Sequence, residues 1–420
     1  LEQIELVIID EISMVRADII DAIDRILRVY SHNLREPFGG KQLLLVGDVF
    51  QLEPVVKNDE REILNRFYPT PYFFSARVFG QIDLVSIELQ KVYRQTDPVF
   101  VSVLDHIRTN TAGAADLQLL NTRYGSQIEE SEADMYITLA TRRDTVDSIN
   151  EKKLAELPGE PITFEGVIEG DFPESSLPTS QELVLKPGAQ IIFIKNDFDR
   201  RWVNGTIGVI AGIDEEEETI YVITDDGKEC DVKLESWRNI RYHYNEKTKE
   251  IEEEVLGSFT QYPIRLAWAI TVHKSQGLTF SRVVIDFTGG VFAGGQAYVA
   301  LSRCTSLDGI QLKKPVNRAD VFVRPEIVNF AGRFNNRQAI DKALKQAQAD
   351  VQYAAASRAF DKGDMEECLE QFFRAIHSRY DIEKPVPRRL IRRKLGIINT
   401  LKEQNKKLKE QMREQQERIR

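Results

Sequence analysis

The chain has 420 residues, of which 42% are hydrophobic, and its formal net charge is −10. That length exceeds a single hydrophobic core and predicts about two to four domains, while the acidic balance argues against a uniformly basic nucleic-acid binder and leaves room for local basic patches. The three cysteines lie without CxxC spacing, which excludes a disulfide framework and a cysteine zinc site. Because no apolar run reaches the roughly 18 residues of a membrane span, we expect a soluble protein in a reducing, cytoplasmic compartment.

An apolar run near the start of the chain ends in two acids. Residues 6–9 are apolar and mostly β-branched, which predicts a central parallel strand covered on both faces. Asp10 and Glu11 then stand at its carboxyl end, where α/β proteins bind nucleotides. In phosphoryl transfer the first carboxylate would hold Mg²⁺ and the second would orient or deprotonate the attacking water. The alternative is a pair of solvated acids at a strand end.

A second strand with a polar end follows a predicted helix. Residues 16–30 place Ile19, Ile20, Ile23, Ile26 and Leu27 on one face at helical spacing. Residues 37–40 predict a turn, and residues 42–46 predict another buried strand, followed by a loop that contains Gln51. A glutamine there could hydrogen-bond a γ-phosphate or its attacking water, or it could be an ordinary loop residue.

Together these stretches resemble the superfamily-one helicases of the petite-integration-frequency type, close kin of the RecD-like helicases. The matching segments are Asp10–Met14, Pro37–Leu43 and Gly47–Pro54. The resemblance implies an α/β fold of two RecA-like parallel-sheet motor domains, the first truncated at its N-terminus, and an ATP-dependent DNA helicase with ATP and Mg²⁺ at the cleft between them. It also implies the family's roles in repair, recombination and telomere maintenance, and the chain is expected to be bacterial.

Arg94 lies in a further stretch of this resemblance, Leu89–Gln95. In the family an arginine of this motif contacts the γ-phosphate across the interdomain cleft, a task that suits the permanently charged, planar guanidinium. A surface salt bridge is the alternative. Residues 100–108 after it predict an amphipathic helix with Val103, Leu104 and Ile107 on its apolar side.

The second motor domain is expected to begin near residue 135 with a strand that leads into a helix. By resemblance Thr141 and Arg142 at that strand end contact the DNA backbone, although Thr141 could simply cap the helix. Residues 157–185 predict an irregular connection with one short strand. Residues 188–262 predict a small antiparallel barrel, which in the family is inserted, resembles Src-homology modules and helps to hold single-stranded DNA. Candidate stacking residues in it, or alternatively core residues, are Trp202, Trp237, Tyr242 and Tyr244.

Residues 263–280 resemble the fifth motif of the superfamily. We expect a helix and a loop that exposes Thr271, His273, Lys274 and Ser275 to phosphodiester oxygens. Gln276 and Gly277 then lie where the backbone approaches the nucleotide, and a glycine permits that close passage. An ordinary surface loop is the alternative for the short His-Lys-Ser run alone.

Residues 295–304 resemble the sixth motif, in which Arg303 is a second arginine finger. Arg94 and Arg303 would then reach the γ-phosphate from the second domain, and Asp10 and Glu11 from the first. Hydrolysis removes the charge that holds the cleft closed, so the domains open and close once per ATP. Family membership further implies movement from 5′ to 3′ on one strand of single-stranded, duplex or forked DNA.

Past residue 329 the resemblance fades. Residues 337–380 predict helices, and residues 354–376 within them resemble a single tetratricopeptide hairpin, with Pro385 and Pro387 ending the helical stretch. Residues 388–420 are basic, and a heptad pattern predicts a short self-associating coiled coil with Asn405 in its seam or, alternatively, a solvated basic helix. The expected domains are 1–112, 113–187 with 263–330, 188–262, 331–384 and 385–420.

No Gly-x-x-x-x-Gly-Lys-Ser/Thr phosphate-binding loop occurs in these 420 residues. We therefore expect this chain by itself to be an inactive fragment of a helicase, since nothing in it would cradle the β- and γ-phosphates. A second hypothesis is a non-catalytic DNA-binding or scaffold protein derived from a helicase. A third, a hexameric ring ATPase, accounts for Asp10 and Glu11 but not for the second-domain motifs.

Overall fold

The computed structural model describes residues 1, 3–126, 135–245, 250–379 and 385–419. The chain divides into two compact units, one formed by residues 1–83 and 90–332 and the other by residues 84–89 and 333–420. The larger unit is an α/β structure with parallel sheets, and the smaller unit is built from helices.

The larger unit begins with a small parallel sheet and its covering helices. Its first elements are β1 (Leu6–Ile9), α1 (Ala17–Tyr30), β2 (Gln42–Leu45), α2 (Asn58–Phe67), α3 (Pro98–Arg108) and α4 (Ala114–Asn121). β1 and β2 pair in parallel, with Ile9 opposite Leu45. The turn between α1 and β2 is tight, and Phe38 and Gly39 adopt positive φ in it. Asp24 of α1 holds this turn by accepting a hydrogen bond from the Phe38 N–H at 2.6 Å.

The prediction that β1 is covered on both faces is wrong for this structure. Leu6 and Ile8 are exposed, and β1 has only β2 as a neighbour among the described strands. An apolar run indicates that a strand suits a buried sheet, but it does not say how many strands flank it. The helix predictions hold better: α1 buries Ile20 and Leu27, although Ile19 and Ile26 stay exposed.

The rest of the larger unit alternates between the second parallel sheet and antiparallel strands. In chain order its elements are β3 (Ile137–Ala140), α5 (Arg143–Glu156), β4 (Ile162–Glu165), β5 (Val167–Gly170), β6 (Glu182–Leu185), β7 (Gln190–Phe193), β8 (Ile207–Asp214), β9 (Thr219–Thr224), β10 (Glu229–Val232), β11 (Glu235–Asn245), β12 (Glu250–Gln261), β13 (Ile264–Leu266), β14 (Ala269–Thr271), β15 (Val283–Asp286), α6 (Gln296–Ser302), β16 (Ile310–Leu312) and α7 (Pro325–Ala331).

The second parallel sheet has the strand order β14-β3-β15-β16. β3 is buried at all four positions, as expected for a strand with parallel neighbours on both sides. The core beside it includes the predicted apolar face of α3, where Phe100 and Ile107 are almost fully buried. The carboxyl ends of β14, β3 and β15 meet at one edge, which carries Thr271, Thr141 and Asp286.

Antiparallel strands separate β3 from β14 along the chain. They form a five-stranded sheet with the order β10-β9-β8-β7-β13, a three-stranded sheet β11-β12-β5 and the pair β4-β6. Residues 157–185, expected to hold one short strand, hold three, because β4 and β6 pair with each other within this segment and β5 pairs with the distant β12. The five-stranded sheet lies in the predicted barrel region, and closure into a barrel stays a prediction.

The smaller unit consists mainly of three helices, α8 (Arg337–Lys362), α9 (Met365–Ser378) and α10 (Pro385–Ile419). α8 ends at Gly363, whose φ of 82° suits a left-handed C-terminal cap. Asp364 then caps α9 by accepting a hydrogen bond from the Glu367 N–H at 3.1 Å. A proline in the first turn opens α10 instead of only ending the preceding segment, since the missing N–H costs nothing there.

Among the helices that the structure describes, none combines the length and the apolar character needed to cross a membrane.

Candidate functional site

The loops after β1 and β2 lie directly against each other. Because the two strands are parallel and in register, both loops leave the same sheet edge, and the Ile12 N–H donates to the Val46 carbonyl at 3.0 Å. Asp10 is exposed at this edge and accepts a hydrogen bond from the Glu11 N–H at 2.8 Å. Glu11 is half-buried with a left-handed φ of 49°. The two predicted acids therefore reach the same edge as the Gln51 loop.

The Gln51 loop also packs against the start of α6. Gly295 precedes α6 with a φ of 77°, and a Cβ there would lie 2.2 Å from the Phe50 carbonyl oxygen and 2.4 Å from that of Gln51. The Gln51 side-chain oxygen is buried and has no hydrogen-bond partner. Asp48, earlier in the loop, faces Tyr298 of α6, and burial together with that carboxylate raises the pKa of the tyrosine hydroxyl.

Arg303 is a buried cation at the end of α6, only 1% exposed. Its guanidinium donates to three backbone carbonyls, those of Val299, Ser275 and Leu278 at 3.1, 3.5 and 3.3 Å. Within the part of the chain that the structure describes, no carboxylate forms an ion pair with it. Burial and the nearby Arg94 lower its pKa to about 10. A buried arginine without a counter-charge is a costly feature that an incoming anion would relieve.

Arg94 is positioned from the same side as Arg303. It donates to the Thr279 hydroxyl at 2.9 Å and to the Ser302 carbonyl at 3.3 Å. The buried amide of Gln95 beside it donates to the carbonyls of Ser302 and Cys304 at 3.0 and 2.8 Å. The negative charges of Glu11 and Asp48 partly offset the lowering of the Arg303 pKa, so both acids lie within electrostatic reach of it. The structure thus brings both predicted arginines together within reach of the acidic loops.

Gln276 and Gly277 form the loop that Arg303 holds. The guanidinium contacts the carbonyls immediately before and after this pair, those of Ser275 and Leu278. Both polar atoms of the Gln276 side chain are buried without a partner. Gly277 has a φ of 78° and open space around its Cα. This loop therefore offers an amide and an accessible backbone beside the buried arginine.

The other predicted DNA-contacting residues follow the second parallel sheet. Thr271 ends β14 opposite Ala140 of β3, so Thr141 emerges beside it. The Thr141 hydroxyl is buried and lacks a hydrogen-bond partner, whereas Arg142 donates to the Gly289 carbonyl at 2.8 Å. Burial lowers the pKa of His273. The unpartnered hydroxyl shows that Thr141 does not act as a simple helix cap here.

The expected conformation of residues 263–280 is corrected in two respects. The segment forms β13, β14 and a single 3₁₀ turn at His273–Ser275 rather than a helix and a loop. Ser275 is fully buried, not exposed, because its hydroxyl donates to the Val272 carbonyl at 2.7 Å. Thr271 and His273 are half-buried, and Lys274 reaches solvent.

The aromatic side chains proposed for base stacking differ in exposure. Trp202 is buried and stacks on Phe193 at 4.4 Å, so it is a core residue of the five-stranded sheet, which was the alternative to a stacking face. Trp237 is half-buried and stacks on Phe259. Tyr242 is 63% exposed on β11. The side chain of Tyr244 lies outside the described residues.

Some residues of this site were not singled out from the sequence. Asp48 and Tyr298 lie within the segments that resemble family motifs, and that position could have singled them out. Nothing in the sequence shows that the two side chains lie together. Glu53 accepts a hydrogen bond from the Tyr72 hydroxyl at 2.9 Å and lies 3.4 Å from Arg324, which ties the Gln51 loop to the approach of α7. These contacts join residues far apart in sequence and carry no local pattern.

The surroundings of Asp10 suit a Mg²⁺ ligand. One carboxylate oxygen accepts the Glu11 N–H, and the exposed position leaves the other accessible. Mg²⁺ in nucleotide sites characteristically takes one or two carboxylates together with water and phosphate oxygens, so this donor fits. The described residues contain no group of three or more His, Cys, Asp or Glu side chains that could hold a metal without such help.

Comparison with known proteins gives consistent matches. The family model described as PIF1-like helicase matches residues 1–110. The ATP-dependent DNA helicase PIF1 of Homo sapiens is 35% identical over 310 residues, which are 73% of this chain and 45% of that protein. The ATP-dependent DNA helicase Pif1 of Campylobacter jejuni is 34% identical over 326 residues, which are 74% of this chain and 70% of that protein.

Solved structures extend the similarity to the fold. The crystal structure of Bacteroides Pif1 bound to ssDNA matches with a TM-score of 0.62 and 40% identity, covering 78% of this chain and 75% of that one. The complex of Bacteroides sp. Pif1 with ADP-AlF4 matches with a TM-score of 0.67 and 40% identity, covering 78% and 74%. The chain spans less than half of the human relative and 70% of the Campylobacter one. With these matches, and with motif residues that meet at one site, the chain belongs to the PIF1-like helicase family.

Proposed function

We propose that this chain carries the hydrolysis and DNA-gripping parts of an ATP-dependent DNA helicase that moves from 5′ to 3′ on single-stranded DNA. The observation that carries the proposal is the buried Arg303, which forms no ion pair with a carboxylate among the described residues, lies beside Arg94 and is within electrostatic reach of Glu11 and Asp48. Its relatives are named ATP-dependent DNA helicases, and one related structure holds ADP-AlF4 while another holds ssDNA.

Each residue has a defined task in this proposal. When bound, ATP and Mg²⁺ supply the phosphoryl group and the charge that neutralises its oxygens. Asp10 offers the ligand for the metal, and Glu11 orients or deprotonates the attacking water. The unpartnered side-chain oxygen of Gln51 can accept a hydrogen bond from that water, and the unpartnered amide of Gln276 can donate to phosphate oxygens. Arg303 and Arg94 stabilise the negative charge that develops during transfer.

The arginines also provide the coupling to movement. Both arginines are anchored to the polypeptide around α6, and the acids are anchored to the β1–β2 sheet. A γ-phosphate draws the two sides together, and its loss lets them part. DNA contacts at Thr271, His273, Lys274, Thr141 and Arg142 lie on the α6 side of the site and are displaced with it. Alternation of that grip with the nucleotide state gives stepping along one strand.

Two further parts of the proposal concern assembly and location. A cytoplasmic location follows from action on DNA. Self-association through residues 390–420 rests on α10, where the heptad residues Leu401, Leu408 and Met412 are each more than half exposed. Asn405 lies in the same seam, where it would pair with its copy and fix the register.

The decisive experiment uses the protein made from the complete reading frame that contains these residues. ATP hydrolysis is measured with and without ssDNA, and unwinding is measured on forks with a 5′ or a 3′ tail. We expect Arg303→Lys to reduce DNA-stimulated hydrolysis by about a thousandfold, because lysine lacks the planar fork, while ssDNA binding is retained.

Arg123→Lys is the matched control. Arg123 donates to the Ile310 and Asp308 carbonyls at the opposite, amino edge of the parallel sheet. The Arg123→Lys variant should hydrolyse ATP at the wild-type rate. If Arg303→Lys hydrolyses ATP as fast as wild type, Arg303 is not an arginine finger. A wild-type protein that binds DNA but never hydrolyses ATP would favour the non-catalytic scaffold instead.

A further inference from the structure

Three cations crowd the space where β14, α5 and β13 approach one another. Lys274 lies in the turn after β14, Arg143 opens α5 and Arg265 lies on β13. Partial burial and the charges of Arg265 and Arg143 lower the pKa of Lys274 to about 8, and Asp147 opposes that shift. Burial and Arg143 likewise lower the pKa of Arg265. Each of these cations therefore lies close enough to another to be repelled by it.

The fold fixes this arrangement through the backbone. Residue Thr271 pairs with Ala140, so the turn with Lys274 and the start of α5 leave neighbouring strands at the same edge. Asn150 of α5 binds Ala269 of β14 through hydrogen bonds of 3.0 and 2.9 Å, which keeps the helix against the strand. Only residues 267–268 separate β13 from β14. These contacts fix the backbone positions from which the three cations project.

The same place has donors that lack acceptors. The Arg265 Nε is buried without a partner, while another nitrogen of that side chain donates to the Pro178 carbonyl. One strand further along the same edge, beside Gly289, the hydroxyl of the buried Thr141 is also unpartnered. Arg142, at the N-cap of α5, provides no side-chain cap, and within the first turn the Asp144 side chain accepts from the Thr145 N–H at 2.8 Å. Arg143 lies 3.5 Å from Asp147 with 88% of its side chain exposed.

A role for Arg265 as a simple brace does not account for these facts. A single hydrogen bond to the Pro178 carbonyl needs neither a buried, unpartnered Nε nor two more cations nearby. An anion with several oxygens would relieve this repulsion, because it can pair with the exposed Arg143 and Lys274 beside the Arg265 charge. Because Arg143 is exposed, the space between the three cations is open to solvent on one side. Thr271 and Arg142 lie further along the same sheet edge. An open row suits a chain of phosphates better than one enclosed anion.

We propose that Arg143, Arg265 and Lys274 form a binding site for one phosphodiester group of single-stranded DNA, between the start of α5 and β13. This inference rests on the proposed DNA binding and adds two arginines that no motif above includes. It carries the DNA path from the Thr271 edge of the parallel sheet toward the five-stranded antiparallel sheet.

The test measures the anisotropy of a fluorescein-labelled oligo-dT of about 16 nucleotides against the 420-residue chain over a series of salt concentrations. Arg143→Gln and Arg265→Gln should each weaken binding about tenfold at low salt, as expected for loss of a charge-assisted contact. Each should also reduce the slope of log K against log salt by about 0.7, because one fewer phosphate is neutralised. Arg265→Lys should keep most of the slope.

Two controls match the variants. Lys152→Gln removes an equally exposed cation from the same helix, and Arg123→Gln removes an arginine from the opposite edge of the parallel sheet. Both should bind like wild type. If wild type fails to bind, the proposed DNA function itself fails. If wild type binds and Arg143→Gln and Arg265→Gln match the controls, this inference is overturned while DNA binding stands.

Two arms remove the remaining ambiguities. If Arg265→Gln lowers the unfolding temperature, the binding result for Arg143→Gln decides the test. The exposed Arg143 side chain contributes little to stability, so its loss should not unfold the protein. Inorganic phosphate is added as a competitor to separate DNA from a free anion. Displacement of the DNA from wild type at millimolar phosphate, but not from Arg143→Gln, would show a free-phosphate site and overturn the assignment to DNA.

Discussion

Gly295→Ala tests whether the Gln51 loop and α6 are pressed together. In the structure the added Cβ would lie 2.2 and 2.4 Å from two carbonyl oxygens of that loop, distances that require the backbone to shift. Alanine at a φ of +77° adds left-handed strain of about 1 to 2 kcal/mol. The overpacking adds about 1 to 3 kcal/mol more. The total loss of unfolding free energy is therefore about 2 to 5 kcal/mol.

Gly290→Ala is the control that separates the two contributions. Gly290 has nearly the same φ, +78°, yet its Cβ would meet nothing within 4 Å. It should lose only the part due to left-handed strain, so the two variants should differ by about 1 to 3 kcal/mol. Urea unfolding followed by tryptophan fluorescence measures this, because Trp202, Trp237 and Trp268 all lie in the larger unit. Equal losses in the two variants would refute the close contact between the loop and α6.

Three further predictions concern charge, core and assembly. Lys274, with a pKa of about 8 beside Arg265, Arg143 and Asp147, should lose its proton between pH 7 and 9. The protein's affinity for ssDNA, measured by anisotropy titration, should therefore fall by up to about tenfold on going to pH 9. The affinity of Lys274→Arg should stay level over the same range. Phe100→Ala should cost about 3 to 5 kcal/mol in urea unfolding, and Phe198→Ala, at a 98% exposed residue, less than about 0.5 kcal/mol. Asn405→Leu should shift the protein toward larger assemblies in analytical ultracentrifugation, because the polar seam residue limits the oligomeric state.

Each of the three has an outcome that contradicts it. The sign for Lys274 is fixed by the phosphate, which favours the protonated amine, so an affinity that rises with pH would place Lys274 away from the DNA. Similar losses for Phe100→Ala and Phe198→Ala would contradict the position of α3 in the core. A monomeric mass for both wild type and Asn405→Leu would leave α10 as a solvated basic helix.

The local features of the site were predictable from the sequence. Apolar runs marked β1, β2 and β3, and polar residues after them marked the sheet edges where Asp10, Gln51 and Thr141 lie. The rule that functional groups gather at the carboxyl ends of parallel strands predicted one edge for Asp10 and Gln51 and another for Thr141 without a structure. The family resemblance, now confirmed by the comparisons, supplied Arg94 and Arg303.

Burial and long-range pairing were not predictable in the same way. The sequence could not show that Ile8 is exposed, because strand composition does not specify the number of neighbouring strands. It could not show that Ser275 turns its hydroxyl inward, since a single rotamer and one carbonyl decide that. The Glu53–Tyr72–Arg324 contacts and the three-cation site arise where separate chain segments meet, and no local period encodes them.

The carbonyl contacts of Arg303 have a consequence for the kinetics of binding. All three nitrogens of its guanidinium already donate hydrogen bonds, so the side chain is confined to one rotamer before any ligand arrives. A free arginine would lose up to about 2 kcal/mol of side-chain entropy on being fixed, and here that loss occurs during folding. In the proposed function a phosphate would therefore meet a stationary target, and the rate of capture would depend on the approach of the β1 and β2 loops rather than on a search by the arginine.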